Sequence, residues 1–132
     1  MERQKTVVDA SIGFKWFFKE AGSREAIGLL DRHKNGELSL NVPDLFFYEV
    51  LNALRYKGFN DEELSEVVED LMDFQLQSHE PRANLLSCAA RLSNQYGFTL
   101  YDASYAALAE LLNAKIISAD EELLRHPLAQ PL

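Results

Sequence analysis

Apolar and polar residues divide the chain into short β-branched runs separated by longer stretches with helical spacing. Lys5 to Asp9 (KTVVD) reads as a buried strand, because Thr and Val are stiff side chains that suit an extended backbone. Ser11 follows as an N-cap for a helix running through Phe18. A second helix starts at Gly22-Ser23, places Ala26, Ile27, Leu29 and Leu30 at helical spacing, and breaks at Asn35-Gly36. Leu38 to Val42 is the second strand. Pro43 then opens a helix in its first turn, where proline costs no hydrogen bond, and Gly58 closes it after Lys57. Asn60 and Glu63 form an N-x-x-E capping box for a helix carrying Leu64, Val67, Val68, Leu71 and Met72. Phe74 to Ser78 alternates weakly as a third strand, Pro81 to Tyr96 is a helix ended by Gly97, and Lys115 to Ser118 is the last strand. Ser118 with Glu121 suggests a second capping box before a short final helix, and Pro127 and Pro131 mark a loose tail.

Short strands alternating with helices predict an α/β fold, a small twisted parallel sheet with helices on both faces. At 132 residues, 47% of them hydrophobic, the chain has the apolar mass for one domain spanning 1–132. Twenty-one acidic residues against 13 Lys and Arg leave a net charge of −8, which disfavours non-specific duplex binding. An acidic balance still admits a nucleic-acid enzyme, because bound metal ions reverse the charge locally, and it suits docking of a basic partner segment. Cys88 is the single cysteine, so there is no internal disulfide and no zinc-ligand spacing; it reads as a small core residue. No apolar run reaches membrane-spanning length and Met1 to Lys5 lacks a signal-peptide pattern, so a cytoplasmic protein is expected.

Candidate chemistry concentrates on carboxylates. Ala103 to Ala109 is apolar or small almost all round, which places its helix in the interior. Asp102 nevertheless stands in its first turn, where a lone buried carboxylate is expensive. Two readings are open: Thr99 and Asp102 form a capping box, or Asp102 faces a cleft that holds a cation. Ligands of an open parallel sheet sit outside the carboxyl ends of the strands. Asp9 ends the first strand, Asp120 follows the last, and Asp102 follows Phe98 to Leu100, a segment that could be a strand. Glu49 lies at the edge of the inward stripe of its helix, with Asn52 one turn on, whereas Glu62, Glu63, Glu66, Glu69 and Asp70 read as a solvated face. Each acid alone has an ordinary explanation as a cap, a helix-dipole charge or an ion-pair partner. Gathered at one end of one sheet, they would repel and rise in pKa unless a cation were present. Oxygen-only ligands point to Mg²⁺ or Mn²⁺, with Ser11 and Ser118 as hydroxyl support.

Other chemistries fit less well. His33, His79 and His126 stand in polar or terminal contexts and read as surface residues. Neither GxxxxGK[ST] nor GxGxxG occurs, a receiver-type acidic pair is missing after the first strand, and Ser11 stands where a DxD motif needs its second Asp. Phe14, Trp16, Phe17 and Phe18 cannot all point inward at helical spacing, so either some lie on a partner surface or they thicken the core edge.

VVDAS (Val7 to Ser11), YEVLNAL (Tyr48 to Leu54), TLYDASYAALAE (Thr99 to Glu110) and SADEELL (Ser118 to Leu124) together resemble the PIN domain, most closely the VapC-type toxins of prokaryotic toxin–antitoxin pairs. The resemblance covers essentially the whole chain and implies a PIN-like fold with about five short strands. It carries the family's four acids onto Asp9, Glu49, Asp102 and Asp120, with Ser118 matching the hydroxyl residue that often precedes the last. Glu121 is an additional acid. The resemblance further implies a Mg²⁺- or Mn²⁺-dependent endoribonuclease, an RNA substrate, a homodimer and a small antitoxin, for which Trp16 and Phe17 are candidate contacts. Lys15, Lys19, Arg55 and Lys57 are candidate contacts to the RNA strand. The alternatives are a PIN nuclease for housekeeping RNA processing and a catalytically silent PIN-like RNA- or protein-binding scaffold.

Overall fold

The computed structural model describes residues 3–132. Five parallel strands form one sheet in the order β3-β2-β1-β4-β5: β1 Gln4–Val8, β2 Leu38–Pro43, β3 Gln77–His79, β4 Lys115–Ile117 and β5 Ala129–Gln130. Among the described residues six α-helices complete the fold: α1 Ala10–Lys15, α2 Ser23–Lys34, α3 Leu45–Tyr56, α4 Asp61–Asp73, α5 Ala83–Tyr96 and α6 Leu100–Leu112. The interior strands carry the core. Every residue of β2 is buried, as are Thr6, Val7 and Val8 of β1, whereas edge strand β3 is largely exposed. The third strand sits at Gln77–His79 rather than over Phe74 to Ser78 because Phe74 caps the helix before it and Gln75 turns at φ 54°.

Helix α6 packs on β1, β2 and β4 and buries Ala103 and Tyr105 to Ala109, the all-round apolar stretch of the sequence. Its small side chains let it approach the sheet closely. Helix α1 crosses α3 with similar intimacy. A Cβ on Gly13 would stand 2.5 Å from Phe46 Cζ and 2.9 Å from Val50 Cγ2, so only glycine fits this crossing.

Several boundaries differ from the pattern-based expectation. Helix α1 ends at Lys15 rather than Phe18, because Trp16 turns inward, packs tilted against Phe46 and edge-on against Phe74, and donates its indole N–H to the Ala26 carbonyl at 2.9 Å. Phe14 is buried and Phe17 and Phe18 are half-buried, so packing against the core accounts for much of the aromatic run. Pro43 ends β2 instead of opening α3, and the Asp44 N–H continues the ladder to the His79 carbonyl. Helix α5 begins at Ala83, two residues after Pro81. Phe98 to Leu100 is not a strand: Leu100 already belongs to α6. The tail is not loose, because Ala129–Gln130 pairs with β4. The capping box at Asn60 and Glu63 is complete, with bonds of 2.8 and 3.0 Å.

The histidines are a correction. His33 and His126 are buried and His79 is half-buried. His33 Nδ1 accepts the Leu40 N–H at 3.0 Å while Nε2 faces the Phe74 and Gln75 carbonyls at 3.0 and 3.2 Å. His126 Nδ1 accepts the Leu128 N–H at 3.1 Å and Nε2 meets Glu110 at 2.8 Å. Polar local sequence hid these sites because nearly all the partners are contributed by other elements. Cys88 is half-buried at the edge of α5, beside Arg91 and Glu110, rather than in the core.

Candidate active site

The carboxyl ends of β1 and β4 open into a cavity of about 540 Å³. Asp9, Ser11, Glu49, Asp102, Tyr105 and Asp120 line it, with Asn52, Tyr56 and Lys57 toward the C-terminal end of α3. The four acids singled out in the sequence therefore share one cavity, delivered by four separate segments. Asp9 caps the start of α1 by position, but its side chain makes no capping bond. Of the capping box read from Thr99 and Asp102 only one half forms: the Asp102 N–H donates to Thr99 Oγ1 at 3.1 Å, while Asp102 itself lines the cavity. Ser118 and Glu121 do not form a capping box. The chain beyond them makes only a single 3-10 turn, Leu123–Arg125, and Ser118 is committed elsewhere.

A hydroxyl network fixes the buried acid. Ser11 Oγ donates to Asp9 Oδ1 at 2.5 Å and accepts the Ala119 N–H at 2.9 Å. Ser118 Oγ donates to Asp9 Oδ2 at 2.7 Å and accepts the Asp120 N–H at 2.9 Å. Two serines thus hold both oxygens of Asp9 and tether the loop that bears Asp120. Across the cavity Tyr105 donates its hydroxyl to Glu49 Oε1 at 2.6 Å. Tyr105 is the residue that pattern reading missed. It passes as apolar filling in α6, yet a fully buried tyrosine needs a partner for its hydroxyl, and that was the available signal.

Electrostatics reflect burial and crowding. Burial pushes the Asp9 carboxyl up to about 6; the two serine hydroxyls oppose the shift and the Asp120 charge adds to it. Glu49 is raised by burial, against its bond from Tyr105, with Asp102, Asp9 and Asp120 contributing. Asp102 is raised by burial and by Asp120 and Glu122. The Tyr105 phenol is driven far above its ordinary range by burial and by Glu49, so it remains a donor. None of the four acids forms an ion pair among the described residues, although Lys57 lines the same cavity. Nor do any three Asp, Glu, His or Cys side chains among the described residues form a group ready to hold a metal ion. Asp9 and Glu49 are turned to hydroxyls in this arrangement. The donor set itself is hard oxygen with surplus negative charge, which fits a divalent cation of the Mg²⁺ or Mn²⁺ kind.

Comparison with known proteins gives the lineage. A family model described as PIN domain matches residues 6–127. Ribonuclease VapC3 of Pyrobaculum aerophilum is 34% identical over 125 residues, covering 90% of this chain and 92% of that protein. Among solved structures, PAE2754 from Pyrobaculum aerophilum superposes with a TM-score of 0.74 at 24% identity, over 99% of this chain and 92% of its own. Mycobacterium tuberculosis VapC20, described as a sarcin-ricin loop cleaving toxin, gives 0.73 at 12% identity, over 93% and 95%. A toxin–antitoxin complex from Klebsiella pneumoniae gives 0.72 at 13%, over 95% of each chain. At these identities the solved structures speak for the fold, and they share its layout. Among the described residues no helix is long and apolar enough to cross a membrane. The family match and the similarity to Ribonuclease VapC3 make this chain a member of the PIN domain family, of the VapC type.

Proposed function

We propose that this chain, read as one PIN domain, is an endoribonuclease dependent on Mg²⁺ or Mn²⁺ and the toxin of a toxin–antitoxin pair. One observation carries the reading: four carboxylates from four segments line one cavity, and no lysine or arginine among the described residues pairs with any of them. Keeping unpaired acids together costs stability, and a domain with no ligand for them has no physical reason to do so. The similarity to a protein named a ribonuclease supports RNA as the substrate.

Asp9, Glu49, Asp102 and Asp120 would hold the ions, with Ser11 and Ser118 supporting Asp9. Bound divalent cations would supply an activated water for in-line attack on phosphorus and offset charge developing on the leaving oxygen. The chain's own contribution is to hold the acids in place. The two serines fix both Asp9 oxygens, Tyr105 fixes one oxygen of Glu49, and the Ser118 tether holds Asp120 against the cavity. Raised carboxyl pKa values make cation binding and proton release one coupled event.

The partner surface we propose for a cognate antitoxin is the groove of about 650 Å³ lined by Trp16, Phe17, Phe18, Lys15, Lys19 and Arg24. The antitoxin complex in the Klebsiella pneumoniae relative supports a partner of this class. Trp16→Ala should weaken antitoxin binding at least about tenfold, as loss of a central aromatic anchor does; unchanged affinity by calorimetry removes Trp16 from the interface. A homodimer and a cytoplasmic location complete the reading.

The test is calorimetric titration of Mn²⁺ into antitoxin-free protein and into Asp102→Asn, then incubation with RNA. Saturable binding lost in the variant supports the metal site. A folded wild type that neither binds Mn²⁺ nor cuts RNA favours the scaffold alternative. Cleavage with no antitoxin gene alongside favours RNA processing.

A further inference from the structure

The C-terminal turn of α3 carries an unexplained tyrosine. Tyr56 is 88% exposed, stacks on no other aromatic among the described residues, and still lines the acid cavity. It follows Glu49 by seven residues, two helical turns, and so shares its face; Asn52 and Ala53 fill the step between them. Along the axis that separation is about 10 Å. Lys57, next in sequence, is the one basic residue lining this cavity among the described residues, and its Nζ rests 5.2 Å from the centre of the Phe18 ring. The cavity therefore runs from a carboxylate end to an aromatic and cationic end along a single helix.

At this exposure Tyr56 contributes little to the core. Placed beside a cation at the mouth of a site for phosphodiester chemistry, it has the composition of a stacking platform for a single-stranded nucleic acid. We propose that Tyr56, flanked by Asn52 and Lys57, forms a base-stacking subsite for an unpaired nucleotide one or two positions from the scissile phosphate. The phosphate reacts at the carboxylate end, Lys57 offers charge to a neighbouring phosphate, and Tyr56 accepts the splayed base. Because stacking needs an unstacked base, this subsite selects loops and single strands over duplex. The inference rests on the ribonuclease reading and deepens it.

Its test begins with a single-stranded RNA that the antitoxin-free wild type cuts in Mn²⁺, selected from a random-sequence pool. Kinetics on that RNA are compared for wild type, Tyr56→Ala, Tyr56→Phe, Tyr56→Trp and Tyr48→Ala. Tyr48, 78% exposed on the same helix but outside the cavity lining, is the control. Tyr56→Ala should raise KM by about 5- to 100-fold with kcat within about threefold, and Phe and Trp should restore it. Replacing each nucleotide in turn by an abasic one should reveal one position where the wild type loses affinity and Tyr56→Ala loses nothing further. An unchanged KM in Tyr56→Ala, a loss that Phe and Trp do not rescue, or the absence of any coupled position overturns the stacking subsite while the nuclease stands. A wild type that cuts nothing in the pool overturns both.

Discussion

Helix α6 carries two carboxylates in opposite surroundings. Glu110, near its C-terminal end, is held by Arg91 Nη2 and by the buried His126 Nε2, each at 2.8 Å. Partial burial pushes its pKa up, but the bonds from His126 and Arg91 outweigh that and leave it below the ordinary range. Asp102, in the first turn, has no basic partner among the described residues, and burial with the charges of Asp120 and Glu122 pushes it the other way. The difference separates an acid that holds the fold together from one kept available. Glu110 joins α5, α6 and the segment leading to β5, and its charge is neutralised there. Asp102 and its three neighbours have no basic partner among the described residues, and at Asp9 and Glu49 only hydroxyl bonds from Ser11, Ser118 and Tyr105 oppose the cost of burial.

That contrast can be tested by removing one charge at each end. Asp102→Asn should reduce RNA cleavage by more than about a hundredfold and abolish Mn²⁺ binding, with the melting temperature unchanged or raised. Glu110→Gln should leave Mn²⁺ affinity within about twofold while lowering stability by about 1–3 kcal/mol, measured by urea unfolding. A variant pair with these effects exchanged would dissolve the distinction.

The pH response sharpens it further. Asp9 moves from 3.8 to about 6 on folding, so the folded state keeps its proton longer than the unfolded chain. Below about pH 4 both states are protonated and burial carries no ionic penalty; as pH rises through about 6 the metal-free protein loses about 3 kcal/mol from this group alone. Glu49 and Asp102 shift in the same sense. Urea unfolding of metal-free protein should therefore show stability falling between pH 4 and pH 7 in the wild type, with a flatter profile in Asp9→Asn. Added Mn²⁺ should raise the melting temperature more at pH 7 than at pH 5.

Two smaller perturbations act on the supports of the acid end. Gly13→Ala forces a Cβ into Phe46 and should cost about 1–3 kcal/mol in urea unfolding, with weaker Mn²⁺ binding as α1 lifts Asp9 away from Glu49. Ser118→Ala removes one hydroxyl that favours ionised Asp9. It should move the acidic limb of the cleavage pH profile upward by about half a unit to one unit, with stability changed by less than about 1.5 kcal/mol.

How much of this was legible in the sequence depends on how local each cause is. The capping box at Asn60, the glycine stop at Gly97 and the burial of Ala103 to Ala109 are set by neighbours within a turn, and pattern reading finds them. The alternation of strand and helix was enough for the parallel sheet. Strand β5 was not readable, because two residues have no periodicity and their pairing partner lies in β4. The buried histidines failed for the same reason: His33 reaches carbonyls 41 and 42 residues away. At the site, the rule that ligands gather at strand ends marked Asp9 and Asp120, and the oddity of a charge in an apolar helix marked Asp102. Tyr105 escaped because its role is defined only by Glu49, 56 positions earlier.

The sheet order has a consequence for biosynthesis. Strand β1 lies at the centre and pairs with both β2 and β4, so the first strand made waits for the last quarter of the chain. The bond from Ser118 to Asp9 spans 109 residues, and Asp120 leaves the ribosome long after Asp9 does. No nascent or truncated fragment ending before β4 can bring the four acids into one cavity. Whatever the finished protein does at that cavity, it starts only once β4 and the loop beyond it have been made.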